Sequence, residues 1–223
     1  MNFQKLGGIA SIIEALTYIF GIVLFIGILD PSVYDGATGK LKYMIENRDL
    51  YVLGLFVSGF LFSFALIILV QALQQKLAPF SPHLMQFATA MGYFWASIVL
   101  ASAMIEVVSI HSLAHYYATD PEMALVVSRA VAVIAGGLGG DIELIGAIWA
   151  GLISIVGIKH GIFNRWLNYW GLTVAIAGGL TLCAFVSALK DNPVIEVMTL
   201  IFGLGQIPWF IWLGISLYTT AKE

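Results

Sequence analysis

The chain has 223 residues, of which 60% are hydrophobic and only 10% charged, with a net charge of −3 and a mean hydropathy of +0.95. Soluble domains carry about 25% charged residues, so the expectation is a polytopic membrane protein with lipid as its solvent. The balance excludes a basic nucleic-acid surface and a polybasic lipid-binding run, and the single cysteine, Cys183, excludes an intramolecular disulfide.

A hydrocarbon core about 30 Å thick needs about 20 helical residues. Six apolar stretches meet that length: Leu6–Leu29, Leu50–Leu73, Leu84–Val108, Asp141–Ile158, Trp166–Leu189 and Val194–Tyr218. The implied fold class is all-α, a six-transmembrane-helix bundle forming a single domain over residues 1–223. Pro31, Pro79, Pro82, Pro121 and Pro193 fall in connections or at helix starts, where a missing N–H is tolerated.

The first stretch is expected to be a span, not a signal peptide: it is too long, Glu14 interrupts it, and no convincing small-residue cleavage site follows. Glu14 lies roughly 12 Å along this helix. Gly7, Ser11, Glu14, Tyr18 and Gly21 share a helical face. A carboxylate facing lipid costs several kcal/mol, so that face is expected to point inward, as an ion or ligand site or as a protonated structural group.

The second and third stretches are rich in small residues, Gly54, Ser58, Gly59 and Ser63, then Ala96, Ala101, Ser102 and Ala103. Such spacing lets helices approach closely in lipid. The third stretch ends in Glu106, followed by Ser109, His111 and His115. Two histidines four apart share a face, and with a carboxylate from another helix they can hold a metal ion. Asp141 or Glu143, opening the next stretch, is the candidate third ligand; Asp141 also reads as a helix cap. The zinc-protease motif is absent. His83 and His160 can be paired as haem ligands, but both sit at membrane edges.

From Pro121 to Ile158 the chain would run about 57 Å as one helix, too long for a single crossing. The run Gly136-Gly137-Leu138-Gly139-Gly140 is the expected break, leaving Glu122–Ala135 as an extra surface or re-entrant helix before span four. A single tilted helix projecting into water is the alternative. Trp166, Tyr169 and Trp170 mark one interface. In the last stretch Pro208 deprives the Leu204 carbonyl of its helical donor, and Gln206 adds an amide beside two glycines, Gly203 and Gly205. Broken helices of this kind bind ions in transporters; an ordinary kink is the simpler outcome.

Six spans put both termini on one side, with Lys5, Lys76, Lys159, Arg165 and Lys222. The basic start and the compact loop Lys159–Arg165 favour cytoplasmic termini.

Two segments carry a resemblance. One is Gly8-Ile9-Ala10-Ser11-Ile12-Ile13-Glu14-Ala15-Leu16-Thr17-Tyr18; the other runs from Ile148-Trp149-Ala150-Gly151-Leu152 through Gly157 to Arg165-Trp166-Leu167 and Gly171. In these the chain resembles a family of bacterial six-span integral membrane proteins catalogued as a domain of unknown function. The resemblance implies the topology and a bacterial inner-membrane location, and transfers no catalytic residue.

Function then rests on the polar residues. They favour a small transporter, channel or ligand-binding membrane protein with a polar intramembrane site around Glu14, Tyr18 and Gln206, and with Glu106 in a vestibule. One alternative is an intramembrane metal-dependent hydrolase using His111, His115 and Asp141 with zinc or another divalent metal. The other is a non-catalytic subunit of a membrane complex. The partners implied are the lipid bilayer and either further copies of the chain or a membrane partner subunit, with no nucleic acid. No phosphate-binding loop or nucleophile elbow points to another enzyme class.

Overall fold

The computed structural model describes residues 2–140, 142–189 and 192–221. Among these residues the structure is helical, without strands. The helices are α1 (Phe3–Ile22), α2 (Gly36–Glu46), α3 (Arg48–Leu55), α4 (Phe62–Leu77), α5 (Pro82–Thr119), α6 (Pro121–Ala135), α7 (Leu144–His160), α8 (Arg165–Leu180) and α9 (Pro193–Thr219). Three π-helical segments continue or join them: Val23–Ile28 after α1, Phe56–Leu61 between α3 and α4, and Gly136–Gly140 after α6. A 3₁₀ segment, Thr181–Phe185, extends α8.

Six segments are long and apolar enough to cross a membrane: Phe3–Ile28, Arg48–Leu77, Pro82–Thr119, Pro121–Leu138, Arg165–Phe185 and Pro193–Thr219. They are not quite the expected six. The fourth of them is the helix read from sequence as an extra element, and α7, expected as span four, is a shorter apolar helix. As expected, the glycine run separates two helices: α6 ends at Ala135, a π turn covers Gly136–Gly140, and α7 begins at Leu144. The third stretch also runs on past Val108 to Thr119, so α5 has 38 residues, about 57 Å.

Helix starts follow local chemistry. The Asp120 side chain accepts from the amides of Glu122 and Met123 at 3.1 and 3.0 Å, with Pro121 at the first helical position. Asn192 caps α9 before Pro193 in the same way, and Asn164 caps α8.

The chain divides into two compact units. The first comprises Met1–Leu16, Ser63–Ser97 and Ile142–Glu223. Its helices pack antiparallel through small residues. On α1, Gly8 meets the backbone of Gly214 on α9, and Gly7 meets Ala72 on α4. On α5, Gly92 meets Trp149 of α7, while Trp95 covers Gly146. Gly157 makes room for Asn168 across the α7–α8 turn, and Gly171 and Gly178 receive Trp209 and Phe202 of α9. Trp95, Trp149 and Trp209 form the centre, with ring centroids 5.9 and 5.7 Å apart. Such pairs add about 0.5–1.5 kcal/mol beyond their area.

The second unit comprises Thr17–Phe62 and Ile98–Asp141. Gly54 receives Leu24 and Phe25, and Gly59 meets Ala103. The small residues expected to allow close approach do so here. The α6 helix runs antiparallel to the second half of α5: Ala124 packs with Leu113, and the Ser102 hydroxyl donates to the Ala135 carbonyl at 3.2 Å. Leu41 of α2 completes that apolar cluster.

Candidate functional site

Within the second unit a cavity of about 250 Å³ opens beside α5. Its polar lining is Glu106, Ser109, Tyr51 and Ser128. Its apolar walls include Phe25, Met44, Leu55 and Leu113. Spacing on α5 explains why Glu106 faces it. Positions 106, 110 and 113 repeat at helical intervals, and Ile110 and Leu113 are buried. The Ser109 hydroxyl turns back to the Glu106 backbone carbonyl at 2.8 Å. Among the described residues, no basic side chain pairs with the Glu106 carboxylate.

One of the three π segments lines this cavity and a second adjoins a lining residue. Phe25 lies within Val23–Ile28, and Leu55 immediately precedes Phe56–Leu61. The Leu29 amide bonds to the Leu24 carbonyl five residues back, at 2.7 Å, in place of the usual four. π turns are uncommon and concentrate at functional sites. Phe25 also stacks towards Tyr51, with centroids 6.0 Å apart.

A second cavity, of about 310 Å³, shares Met44, Tyr51, Ser128 and Ala132 with the first. Its lining adds Lys40 from α2 and Arg129 from α6.

The other sequence candidates are distributed as follows. Glu14 and Gln206 are both buried, at 0% and 2% exposure. They lie on facing antiparallel helices of the first unit: Gly8 meets Gly214, and the Ser11 hydroxyl donates to the Phe210 carbonyl at 2.7 Å. Carrying that register one turn further sets Glu14 level with the turn holding Gln206. Tyr18 belongs to the second unit, where its ring packs edge-on to Phe62 at 5.8 Å.

His111 and His115 are exposed on α5, on a different face from Glu106. Asp141 lies outside the described residues. Glu143 occupies the position before the first turn of α7. Among the described residues no three His, Cys, Asp or Glu side chains cluster closely enough to hold a metal. His160 lies 3.2 Å from the Ser81 hydroxyl, and His83 is exposed. Pro208 sits inside a helix that stays continuous from Pro193 to Thr219, with the Trp170 indole N–H donating to the nearby Gly205 carbonyl at 2.9 Å.

Of the residues lining these cavities, the sequence singles out Glu106 as a candidate but not Tyr51, Ser128, Lys40 or Arg129. These come from α2, α3 and α6, and only packing brings them together. The one local clue was in α6, where Leu125, Ser128 and Ala132 recur at helical spacing on one face.

Comparison with curated proteins finds no match. Comparison with solved structures finds none either. The family comparison does: a model described as "Domain of unknown function (DUF4386)" matches residues 6–215, nearly the whole chain, and the protein belongs to that family.

Proposed function

We propose that this is a ligand-binding membrane protein that takes a small amine-bearing guest in the Glu106 cavity. The observation that carries the reading is a carboxylate, without a basic partner among the described residues, in an enclosure walled by Phe25, Tyr51, Met44 and Leu55. Ligand sites are mostly apolar, with a few placed polar groups that fix orientation. A carboxylate in apolar surroundings gains most from a guest that brings the opposite charge. Aromatic faces add attraction for a cation. At about 250 Å³ the enclosure falls below the roughly 300–1,000 Å³ of drug-sized pockets, so the guest is small.

Titration calorimetry of the protein in lipid nanodiscs, with hexylamine and hexanol as matched probes, tests the reading. Hexylamine is expected to bind at least about tenfold more tightly than hexanol, and Glu106→Gln is expected to remove the difference. Equal binding of the two probes would overturn it.

The same proposal sets both termini in the cytoplasm of a bacterial inner membrane. It is supported by the end of the first unit where α1 begins and α9 finishes. There the Lys5 ammonium lies 5.9 Å from the Tyr218 ring and Lys76 donates to Thr220 at 2.9 Å. Lys159 and Arg165 close the α7–α8 turn. Short loops rich in Lys and Arg stay on the cytoplasmic side.

A further inference from the structure

We infer that the cavity bearing Lys40 and Arg129 is the second half of the Glu106 site, so that the guest is a zwitterion: an ammonium and an anionic phosphate or carboxylate on one small apolar body. The ammonium end rests on the function proposed above. The anionic end rests on separate observations.

The first is charge accounting. The second unit holds four basic side chains, Lys40, Lys42, Arg48 and Arg129. Lys42 lies 3.7 Å from Glu46 and Arg48 lies 3.9 Å from Asp49. Among the described residues Lys40 and Arg129 have no carboxylate partner, and these are the two that line the cavity. A solvated surface would distribute unpaired cations without regard to a concavity; here both border the same one.

The second is continuity. The two cavities share Met44, Tyr51, Ser128 and Ala132, so a guest in one touches the wall of the other. The first alone, at about 250 Å³, is below the range of sites that take a whole drug-sized ligand; continuous with the second, of about 310 Å³, it offers room for a guest that reaches both.

The third is donor geometry. Arg129 presents a planar fork suited to two oxygens of one anion, and Lys40 supplies a mobile point charge. Ser128, beside Arg129 on α6, brings a hydroxyl to the shared wall. Leu41, next to Lys40, and Ala124 of α6 belong to one packed cluster, so α2 and α6 are held together where the two cations project. Two cations at one end, a carboxylate at the other and apolar walls between them match a zwitterion better than either single charge.

The shared chemistry occurs in a soluble phosphoethanolamine and in a lipid headgroup, and the test separates them. Hexyl phosphoethanolamine, hexylamine and hexyl phosphate are titrated into the protein in nanodiscs of phosphatidylcholine, by calorimetry. The zwitterion is expected to bind at least about tenfold more tightly than either single-charge probe. The double variant Lys40→Gln, Arg129→Gln is expected to lose about that factor for the zwitterion and for hexyl phosphate, and to keep its hexylamine affinity. Both side chains are exposed, so the variant should fold normally; its helical circular dichroism checks this.

Zwitterion binding no tighter than hexylamine, or unchanged in the double variant, would overturn the inference and leave the amine site standing. Hexyl phosphate binding that the double variant abolishes, with no hexylamine binding, would keep the anionic subsite and remove the Glu106 reading. Native mass spectrometry after exchange into phosphatidylethanolamine nanodiscs distinguishes the sources. A lipid retained by the wild type and lost by the double variant assigns the headgroup; hexyl phosphoethanolamine binding without retained lipid assigns a soluble guest.

Discussion

The indole N–H of Trp170 on α8 donates to the backbone carbonyl of Gly205 on α9 at 2.9 Å. Gly205 follows Leu204, whose carbonyl has no helical donor because Pro208 stands four residues on. The bond therefore ties α8 to α9 at the turn the proline weakens. Trp170→Phe keeps an aromatic ring and removes the donor. It is expected to lower unfolding free energy by about 0.5–1.5 kcal/mol, read by denaturant titration in micelles. An unchanged midpoint would show that the bond contributes nothing there.

Two glycines on α1 should respond with opposite signs. A Cβ on Gly8 would sit 2.8 Å from the Gly214 carbonyl oxygen and 2.9 Å from the Tyr218 amide nitrogen, both backbone atoms that cannot swing aside. A Cβ on Gly21 would find its nearest neighbour at 3.8 Å, in ordinary contact. Gly8→Ala is expected to cost about 1–3 kcal/mol. Gly21→Ala is expected to stabilise by up to about 1 kcal/mol through helix propensity. Equal midpoints for the two variants would contradict the packing described for Gly8.

The α7–α8 turn should behave as one coupled unit. The Asn168 amide donates to the Ile162 carbonyl at 2.8 Å and fills the space that a side chain on Gly157 would need. Gly161, at φ +62°, supplies the left-handed residue that ends α7. Gly157→Ala and Asn168→Ala should each destabilise. Because truncating Asn168 makes room for the new methyl, the double variant should lose less than the sum of the two, by about 0.5 kcal/mol or more. Strict additivity in a double-mutant cycle would refute the coupling.

Reporter enzymes fused at each terminus should agree with one another. The start of α1 and the end of α9 share the same basic end of the first unit. Both fusions are expected to report the cytoplasm. A split result would require an odd number of crossings.

Asp30 should show a local pH response. Hydrogen bonds from the Ser32 hydroxyl and amide hold its carboxyl below the usual carboxylate value. A depressed value in the folded state means that the turn is stabilised above the unfolded-state value, about 3.9, and that this is lost as pH falls through the folded value. The Ser32 amide resonance is expected to move upfield in that window and to stay constant between pH 5 and pH 7, a range chosen about one unit or more above it. Movement centred above pH 5 would argue against the bond.

Much of the fold could be read from punctuation. Pro82, Pro121 and Pro193 stand at the first turns of α5, α6 and α9. The small residues of the second stretch foretold the approach of Gly59 to Ala103. The glycine run after Ala135 marked the end of α6 correctly, since α7 starts only at Leu144; the π turn over Gly136–Gly140 left no trace in the sequence. The longer reach of α5 was hidden by the polar residues His111 and His115, which merely occupy its exposed side. Glu106 was visible as a charge in an apolar stretch. The enclosure around it was not, since Phe25, Tyr51 and Ser128 are far apart in the chain and follow no common pattern.

The π segments at Val23–Ile28 and Phe56–Leu61 give the chain slack beside the cavity. A π turn takes up one residue more than an α turn over the same arc. Deleting one residue from Phe56–Leu61 would let that turn close in α geometry while Tyr51 and Leu55, which precede it, keep their face. These two turns are places where the helix can give up a residue without rewriting the cavity wall.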